Sequence, residues 1–253
     1  MSFYGITDIG LVRPENQDSC NALKICDNIH LYIVCDGMGG ENGGKTASTI
    51  ACRTFCESLT RIIGKYLILN RLPAKHKKNI PEYLTSALDE ANSAVYNAAR
   101  SDGSLHGMGT TLVAALVTDS AAYVINVGDS RAYLVYDNKI IQITKDHSYV
   151  QFLIDSGKIK PEEAKNHPQK NMITRSVGVE SEVHGDIFKV ALQNGQFILL
   201  CTDGLSNAVS DSDICGCLMK NIPIKDKASA LIDLAKLNGS SDNITTLIVK
   251  YEK

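Results

Sequence analysis

The stretch His30-Leu31-Tyr32-Ile33-Val34-Cys35-Asp36-Gly37-Met38-Gly39-Gly40 decides the fold. Its first six residues are mostly apolar and partly β-branched, a pattern that predicts a buried strand. The strand ends at the carboxylate of Asp36, and three of the next four residues are glycine. Apolar residues then recur at helical spacing over residues 43–63, which predicts a helix. We therefore expect Asp36 at the end of a rigid strand, in a loop with few Cβ atoms where a ligand can approach the backbone closely.

The whole chain has the composition of a globular protein. It has 253 residues, of which 44% are hydrophobic and 21% are charged, and its formal net charge is −2. Because this charge provides no general attraction to nucleic acid or to an anionic membrane, we expect neither as a partner. We also expect no signal peptide at Met1, and the chain lacks an apolar run of about 18 residues that could span a membrane. Its eight cysteines are expected as reduced thiols, so a cytoplasmic location is predicted.

Strand patterns dominate much of the remaining chain. The apolar runs at 111–117, 121–127 and 131–136 are separated by short polar turns, so hairpins and an antiparallel meander are predicted. Other strands are predicted at 3–8, 23–25, 183–190, 197–201 and 244–250, and other helices from Pro81 onward and at 149–156, 211–219 and 226–237. Helices grouped apart from hairpin-linked strands predict an α+β fold in which helices cover the sheets.

The chain contains no repeat and no convincing domain boundary, so a single domain over residues 1–253 is predicted. Residues 146–180 are polar and contain Pro161 and Pro168, and we expect them to form a surface flap. Residues 64–80 are basic, and we interpret them as a solvated connector.

Five aspartates share a position at the predicted ends of strands, namely Asp18, Asp36, Asp129, Asp203 and Asp242. If these ends converge, like-charge repulsion at 4 Å amounts to about 4 kcal/mol per pair at an effective dielectric constant of 20. Such a cluster persists only with cations in it, and ligands that are all oxygen favour Mg²⁺ or Mn²⁺. Two such ions can generate hydroxide and neutralise a phosphoryl group. Arg13 supplies an anion contact, because its planar fork matches two phosphate oxygens.

Eight short motifs occur in order along the chain. They are Arg13-x-x-Asn16-Gln17-Asp18, Asp36-Gly37-Met38-Gly39-Gly40, Gly109-Thr110-Thr111, Val127-Gly128-Asp129-Ser130-Arg131, Asp146-His147-Ser148, Asn171-x-Ile173-Thr174-Arg175, Thr202-Asp203-Gly204-Leu205 and Ser241-Asp242-Asn243-Ile244-Thr245. Together they closely resemble the metal-dependent, type-2C-like Ser/Thr protein phosphatases in their compact bacterial form, and the resemblance spans residues 2–251.

The resemblance implies a fold and an activity. The fold is an α+β two-sheet antiparallel β-sandwich flanked by helices on both sides, in α/β/β/α layers. The activity is hydrolysis of phosphoserine and phosphothreonine on proteins by attack of a metal-bound water or hydroxide. The substrates implied are phosphorylated proteins, including substrates of a Ser/Thr kinase and the kinase itself, and we expect the enzyme to be a monomer.

The resemblance also implies roles for individual residues. Asp36 should bridge two Mn²⁺ or Mg²⁺ ions, and the Gly37 carbonyl should bind one of them. Asp203 and Asp242 should hold the other ion. The remaining roles fall to Asp18, which should orient bound water, to Arg13, which should bind the substrate phosphate, and to Asp129, which matches the position of a third, weaker metal.

Three positions depart from the family pattern. Gln17 replaces the Glu of many relatives, and Lys45 stands where an acidic residue is common. Glu41 stands where many relatives place a His that has been proposed as the general acid. An unperturbed Glu has a pKa near 4.3 and is ionised at neutral pH, so we predict that Glu41 does not protonate the leaving group.

The sequence also proposes two rival functions. The stretch Gly39–Thr46 matches G-x4-G-K-[ST] between a strand and a helix, the context of a phosphate-binding loop, so a nucleotide hydrolase is an alternative. Against it, hairpin-linked strands do not suit a fold that needs parallel strands with crossover helices, and Asp36 would repel a phosphate. A metal-free protein that only binds phosphoproteins is a third hypothesis, although every expected aspartate is present.

Overall fold

Several strands of this protein are apolar on both faces, so they require cover on both sides. The structure, a computed structural model, describes residues 1–164 and 166–252, and for residues 40–42 it describes the backbone alone. Two antiparallel sheets pack face to face, and helices cover the outer face of each. The predicted α/β/β/α arrangement is therefore confirmed.

The strands of the two sheets are β1 (Ser2–Asp8), β2 (Asp18–Cys26), β3 (Ile29–Met38), β4 (Gly109–Thr110), β5 (Leu112–Val117), β6 (Ala121–Val127), β7 (Arg131–Tyr136), β8 (Lys139–Gln142), β9 (Asp186–Ala191), β10 (Phe197–Cys201) and β11 (Ile244–Lys250). The five-stranded sheet has the order β1-β11-β10-β7-β8. The six-stranded sheet has the order β2-β3-β5-β6-β9, with β4 paired to β3.

The helices are α1 (Gly40–Gly64), α2 (Ala74–Lys77), α3 (Ile80–Ser101), α4 (Tyr149–Asp155), α5 (Pro161–Ala164), α6 (Asp203–Ser206), α7 (Asp211–Met219) and α8 (Ile224–Leu237), with a 3₁₀ turn at Gly103–Leu105. In the described ranges 1–164 and 166–252, no helix is long and apolar enough to cross a lipid bilayer.

Three apolar layers hold the sandwich together. Phe55, Leu59 and Ile63 recur every four residues on α1 and are fully buried, which places one face of this helix against the six-stranded sheet beside α3. Helices α7 and α8 cover the five-stranded sheet in the same way. The layer between the sheets includes Tyr32 and Leu200. This packing fixes the positions of the strand ends, and therefore the positions of the aspartates that the sequence analysis placed there.

The hairpin predicted between 121–127 and 131–136 is wrong. Strand β6 pairs with β5 and β9 in the six-stranded sheet, whereas β7 pairs with β10 and β8 in the five-stranded sheet. The chain passes from one sheet to the other at Gly128, whose φ of +103° is accessible to glycine and where an added Cβ would stand 2.6 Å from Thr111 Cγ2. Asp129 therefore lies in a crossover between the sheets.

Other predicted bounds needed smaller corrections. The short strand predicted at 23–25 is the nine-residue strand β2, which begins at Asp18. Strand β9 begins at Asp186, three residues later than predicted, and β8 and the single-turn helix α6 were not predicted. Lys165, within the predicted flap, and the side chain of Glu41 lie outside the described part of the chain.

Candidate functional site

The backbone of Asp36 is fixed near the end of β3 by two threonines. The Asp36 amide donates to Thr111 Oγ1 at 2.9 Å, and the Asp36 carbonyl accepts from Thr110 Oγ1 and from the Thr111 amide, both at 2.8 Å. The next residue, Gly37, lies so close to α1 that an added Cβ would stand 2.0 Å from the Gly44 carbonyl oxygen. Only glycine allows this approach of helix and strand.

Asp18 lies directly opposite Asp36 in the pairing of β2 with β3. Its side chain is fully buried, and Oδ2 accepts from Thr245 Oγ1 at 2.6 Å and from Thr202 Oγ1 at 3.0 Å. The other oxygen, Oδ1, is buried without a hydrogen-bond partner among the described residues. Burial raises the pKa of Asp18 to about 7, and the two hydroxyl donors act in the opposite direction.

Asp203 and Asp242 come from the five-stranded sheet. Asp203 begins α6 two residues after the end of β10, and Asp242 stands two residues before β11. Their loops are in close contact, since a Cβ on Gly204 would lie 1.9 Å from the Asn243 carbonyl oxygen. Burial, with the charge of Asp242 in addition, raises the pKa of Asp203 to about 6.

The pKa of Asp36 is raised well above its usual range, first by burial and then by the charges of the other aspartates. Asp129, in the crossover between the sheets, is 8% exposed. Burial and the charges of Asp203 and Asp146 raise the pKa of Asp129 to about 8. Behind it, Arg131 Nη2 donates to Asp146 at 2.7 Å in a largely buried ion pair. Burial therefore favours the protonated forms of Asp18, Asp36, Asp129 and Asp203, and the charges of neighbouring aspartates add to this effect.

Arg13 lies on the loop between β1 and β2, beside the same carboxylates. Its Nη2 donates to Asp242 Oδ2 at 2.7 Å, and the Arg13 side chain is 53% exposed. Asn243 organises this loop, because its Nδ2 donates to the carbonyls of Ile9 and Glu15, each at 2.9 Å. The guanidinium group is therefore held at the mouth of the site.

One cavity of about 780 Å³ joins most of the predicted residues. We call it the carboxylate cavity, and its lining includes Arg13, Asp36, Gly37, Asp129, Asp203 and Asp242. Asp18 does not line it and lies buried behind Asp36. The structure thus brings every sequence-predicted site residue into one neighbourhood, with Asp18 in a supporting position.

The donor set of this neighbourhood fits hard divalent cations. In the described residues, one carboxyl oxygen each of Asp18, Asp129 and Asp203 is buried without a hydrogen-bond partner, and an ion or water is the usual partner of such an atom. All the side-chain donors are oxygens, which suits Mg²⁺ or Mn²⁺. Among the described residues, no three His, Cys, Asp or Glu side chains form a compact ligand set of their own. Asp242 contributes to this spacing, because its Oδ2 is turned toward the guanidinium group of Arg13.

The phosphate-binding-loop alternative finds no support in the structure. The backbone of residues 40–46 is helical within α1, whereas a phosphate cradle requires a loop there. Lys45 Nζ donates to the Asp18 carbonyl at 2.8 Å, so this lysine ties the helix to β2. Strands β2 and β5, which flank β3, are both antiparallel to it, whereas a nucleotide hydrolase of this type needs parallel strands.

Sequence reasoning gave no role to the hydroxyl groups that support the site. Thr202 and Thr245 hold Asp18, and Thr111 holds Asp36. All three residues lay in the motifs above, but a threonine in a β-rich chain is also explained by strand propensity. Their only distinguishing signal is their position next to an aspartate-bearing turn.

Known proteins resemble this chain over nearly its whole length. A family model described as protein phosphatase 2C matches residues 14–233. The chain is 37% identical to the serine/threonine phosphatase stp of Listeria monocytogenes, over 97% of this chain and 94% of that protein. It is 34% identical to protein phosphatase PhpP of Streptococcus pneumoniae, over 98% of this chain and 96% of that protein.

Solved structures agree with these sequence relatives. The serine/threonine phosphatase PstP/Ppp of Mycobacterium tuberculosis matches with a TM-score of 0.87 and 34% identity, covering 100% of this chain and 99% of that one. The catalytic domain of the serine threonine protein phosphatase PstP in complex with two manganese ions matches with a TM-score of 0.80 and 33% identity, covering 100% and 98%.

Proposed function

The chain belongs to the protein phosphatase 2C family, and from that premise we propose that it is a protein serine/threonine phosphatase that acts at the carboxylate cavity. The observation that carries this proposal is the meeting of aspartates from both sheets with Arg13 around one solvent-accessible cavity. Carboxylates suit a divalent metal, and a guanidinium group suits a phosphate monoester, so the two halves of the site match the two parts of the reaction.

We propose the following metal ligands. Asp36 and the Gly37 carbonyl would hold one Mn²⁺ or Mg²⁺ ion, and Asp36 together with Asp203 and Asp242 would hold a second. Asp129 would hold a third, weaker ion. The unpartnered oxygens of Asp129 and Asp203 support this assignment. When bound, such ions polarise the phosphoryl group and make water a competent nucleophile at neutral pH.

The remaining roles belong to side chains that position the reactants. Asp18 is held by two hydroxyl donors to Oδ2, and its free Oδ1 is available to orient a water molecule. The 2.7 Å contact with Asp242 Oδ2 holds Arg13 beside the cavity. A substrate phosphate can replace this carboxylate and accept two hydrogen bonds from the guanidinium group.

We further propose that the substrates are cytoplasmic phosphoproteins in a signalling pathway, including the targets of a Ser/Thr kinase and the kinase itself. A phosphatase acts on the products of a kinase, and phosphatases of this family match the chain almost end to end. We also propose that residues 1–253 form a single monomeric catalytic domain in which 146–180 form a surface flap beside the cavity. Asn171 and Ile173 from that segment line the cavity, which supports this view.

The test is phosphate release from a phosphothreonine peptide by metal-stripped enzyme, with and without added Mn²⁺. We expect hydrolysis only with metal, and a loss of at least a hundredfold in Asp36→Asn and Asp203→Asn. ATP is the control substrate, and it should turn over no faster than any other phosphate ester. Metal-dependent ATP hydrolysis without peptide hydrolysis would contradict the proposal and restore the nucleotide hydrolase.

A further inference from the structure

A second cavity adjoins the carboxylate cavity, and Met38 and Ile173 line both. We call it the flanking cavity. It has a volume of about 410 Å³ and is lined by Met38, by residues 173–176 and by Val179, Glu180, Glu182, Val183 and His184. Its floor is apolar, since Met38, Ile173, Val179 and Val183 face it, and Val179 is 42% exposed. Exposed apolar surface next to a catalytic site is a feature of substrate-binding grooves.

The wall of the flanking cavity is held rigidly from behind. Asn92 on α3 is 1% exposed and makes three hydrogen bonds to the backbone of residues 178–181, which carries Val179 and Glu180 of this wall. Its Oδ1 accepts from the Gly178 amide at 2.7 Å, and its Nδ2 donates to the carbonyls of Glu180 and Ser181, both at 3.1 Å. The glutamates on the rim therefore project from a fixed backbone.

The rim of the flanking cavity is acidic. In residues 1–164 and 166–252, Glu180 and Glu182 are exposed and no Lys, Arg or His forms an ion pair with either. Arg175 also lines this cavity, but its charge is paired with Asp186, because its Nη1 donates to Asp186 Oδ1 and to the His184 carbonyl, both at 2.9 Å. Asp89 adds a further negative charge near Glu182 and His184. The potential at the rim consequently favours a cation.

We propose that the flanking cavity binds a Lys or Arg side chain of the substrate, located within about three residues of the phosphorylated residue. The methylene stem of such a side chain packs on the apolar floor, and its charged head reaches Glu180 and Glu182. The two cavities share Met38 and Ile173, so the side chain in the flanking cavity must belong to a residue close to the phosphorylated one. An extended chain advances about 3.3 Å per residue, which limits the separation to a few residues. The inference rests on the proposed function and names the class of phosphoprotein that it prefers.

The expected effect is moderate, because both glutamates are exposed. Exposed ion pairs contribute little individually, so two of them should raise kcat/KM about five- to tenfold for a basic over an acidic peptide. The effect should appear mainly in KM and should decrease with added salt.

The experiment compares phosphothreonine peptides that differ at a single position, from three residues before to three after the phosphothreonine, as Lys, Arg, Gln or Glu. Each is tested with the wild type and with the double variant Glu180→Lys/Glu182→Lys. We expect the wild type to favour Lys and Arg at one or more positions, and the double variant to favour Glu there. Hydrolysis of p-nitrophenyl phosphate, which is too small to reach the flanking cavity, should be the same in both enzymes.

The matched control is Glu57→Lys, which changes an exposed glutamate on α1 that lines neither cavity. It should keep the wild-type peptide preference. Equal kcat/KM for Lys and Glu peptides in the wild type, or an inverted preference in Glu57→Lys, would overturn this inference while leaving the phosphatase intact. A wild-type enzyme that hydrolyses none of the peptides would instead overturn the proposed function, and this inference with it.

Discussion

Removal of the Asn92 side chain should destabilise this protein by about 3–5 kcal/mol, and the number follows from its contacts. Asn92→Ala deletes three hydrogen bonds made by a side chain that is 1% exposed. Each bond contributes about 1 kcal/mol, and a buried donor left unpaired costs about 1–3 kcal/mol. The Gly178 amide is such a donor, whereas the carbonyls of Glu180 and Ser181 belong to exposed residues and can bind water.

The assay is urea unfolding followed by circular dichroism, with hydrogen exchange of the Gly178 amide as a local probe. The melting temperature should fall by on the order of 10 °C. Asn92→Asp should be at least as destabilising, because it keeps the acceptor for Gly178 but turns an anionic oxygen toward two carbonyls. The exposed Asn221→Ala is the matched control and should unfold like the wild type. A loss below about 1 kcal/mol in Asn92→Ala would refute the reasoning.

Three further substitutions test individual contacts of the site. Arg13→Lys should raise KM for a phosphopeptide several-fold although the charge is kept, because the planar fork is lost; unchanged kinetics in both Arg13→Lys and Arg13→Ala would argue for a surface role. Lys45→Ala should leave peptide hydrolysis within a few-fold, since Lys45 Nζ donates to the backbone carbonyl of Asp18 and not to its carboxyl group; tight ATP binding that this variant loses would argue against our account. Thr245→Val removes the 2.6 Å bond to Asp18 and should lower kcat about 10–100-fold, as expected for a hydrogen bond to a charged group; a rate within twofold of the wild type would mean that this hydroxyl does not orient Asp18.

The strand ends were predictable from the sequence because each carries its own local signal. An apolar run followed by Asp-Gly marks both Asp36 and Asp203, and the predicted strands at 197–201 and 244–250 match β10 and β11. The predicted end at Asp36 was two residues early, because Gly37 and Met38 continue β3 by pairing with β4. Residues 43–63 fall within α1 because one apolar face repeats through the helix. Local patterns of this kind determine which residues end a strand.

The assignment of strands to sheets was not predictable from local patterns. Strands β6 and β7 are separated by only Gly128, Asp129 and Ser130, which is typical of a hairpin, yet they belong to different sheets. The same limit applies to Asp18, which was expected just beyond the first strand but begins β2 opposite Asp36. The pairing partner decides such cases, and it comes from a distant part of the chain.

Long-range polar contacts were equally hidden. Asn92 looks like any polar residue on an amphipathic helix, and its partners lie more than 80 residues away. Thr202 and Thr245 meet Asp18 only because three strands from both ends of the chain converge. Charge type and turn chemistry identify the aspartates, whereas the residues that hold them in place become visible only in the folded structure.

The number of Mn²⁺ ions bound by metal-stripped protein tests the central claim most directly. Isothermal titration calorimetry at neutral pH measures it without any assumption about activity. Our account predicts two tightly bound ions in the wild type and a third, weaker one that Asp129→Asn loses. Asp36→Asn should lose tight binding, whereas Asp233→Asn, at an exposed position on α8, should bind like the wild type. Wild-type stoichiometry and affinity in both Asp36→Asn and Asp203→Asn would contradict the claim that these carboxylates hold the metal.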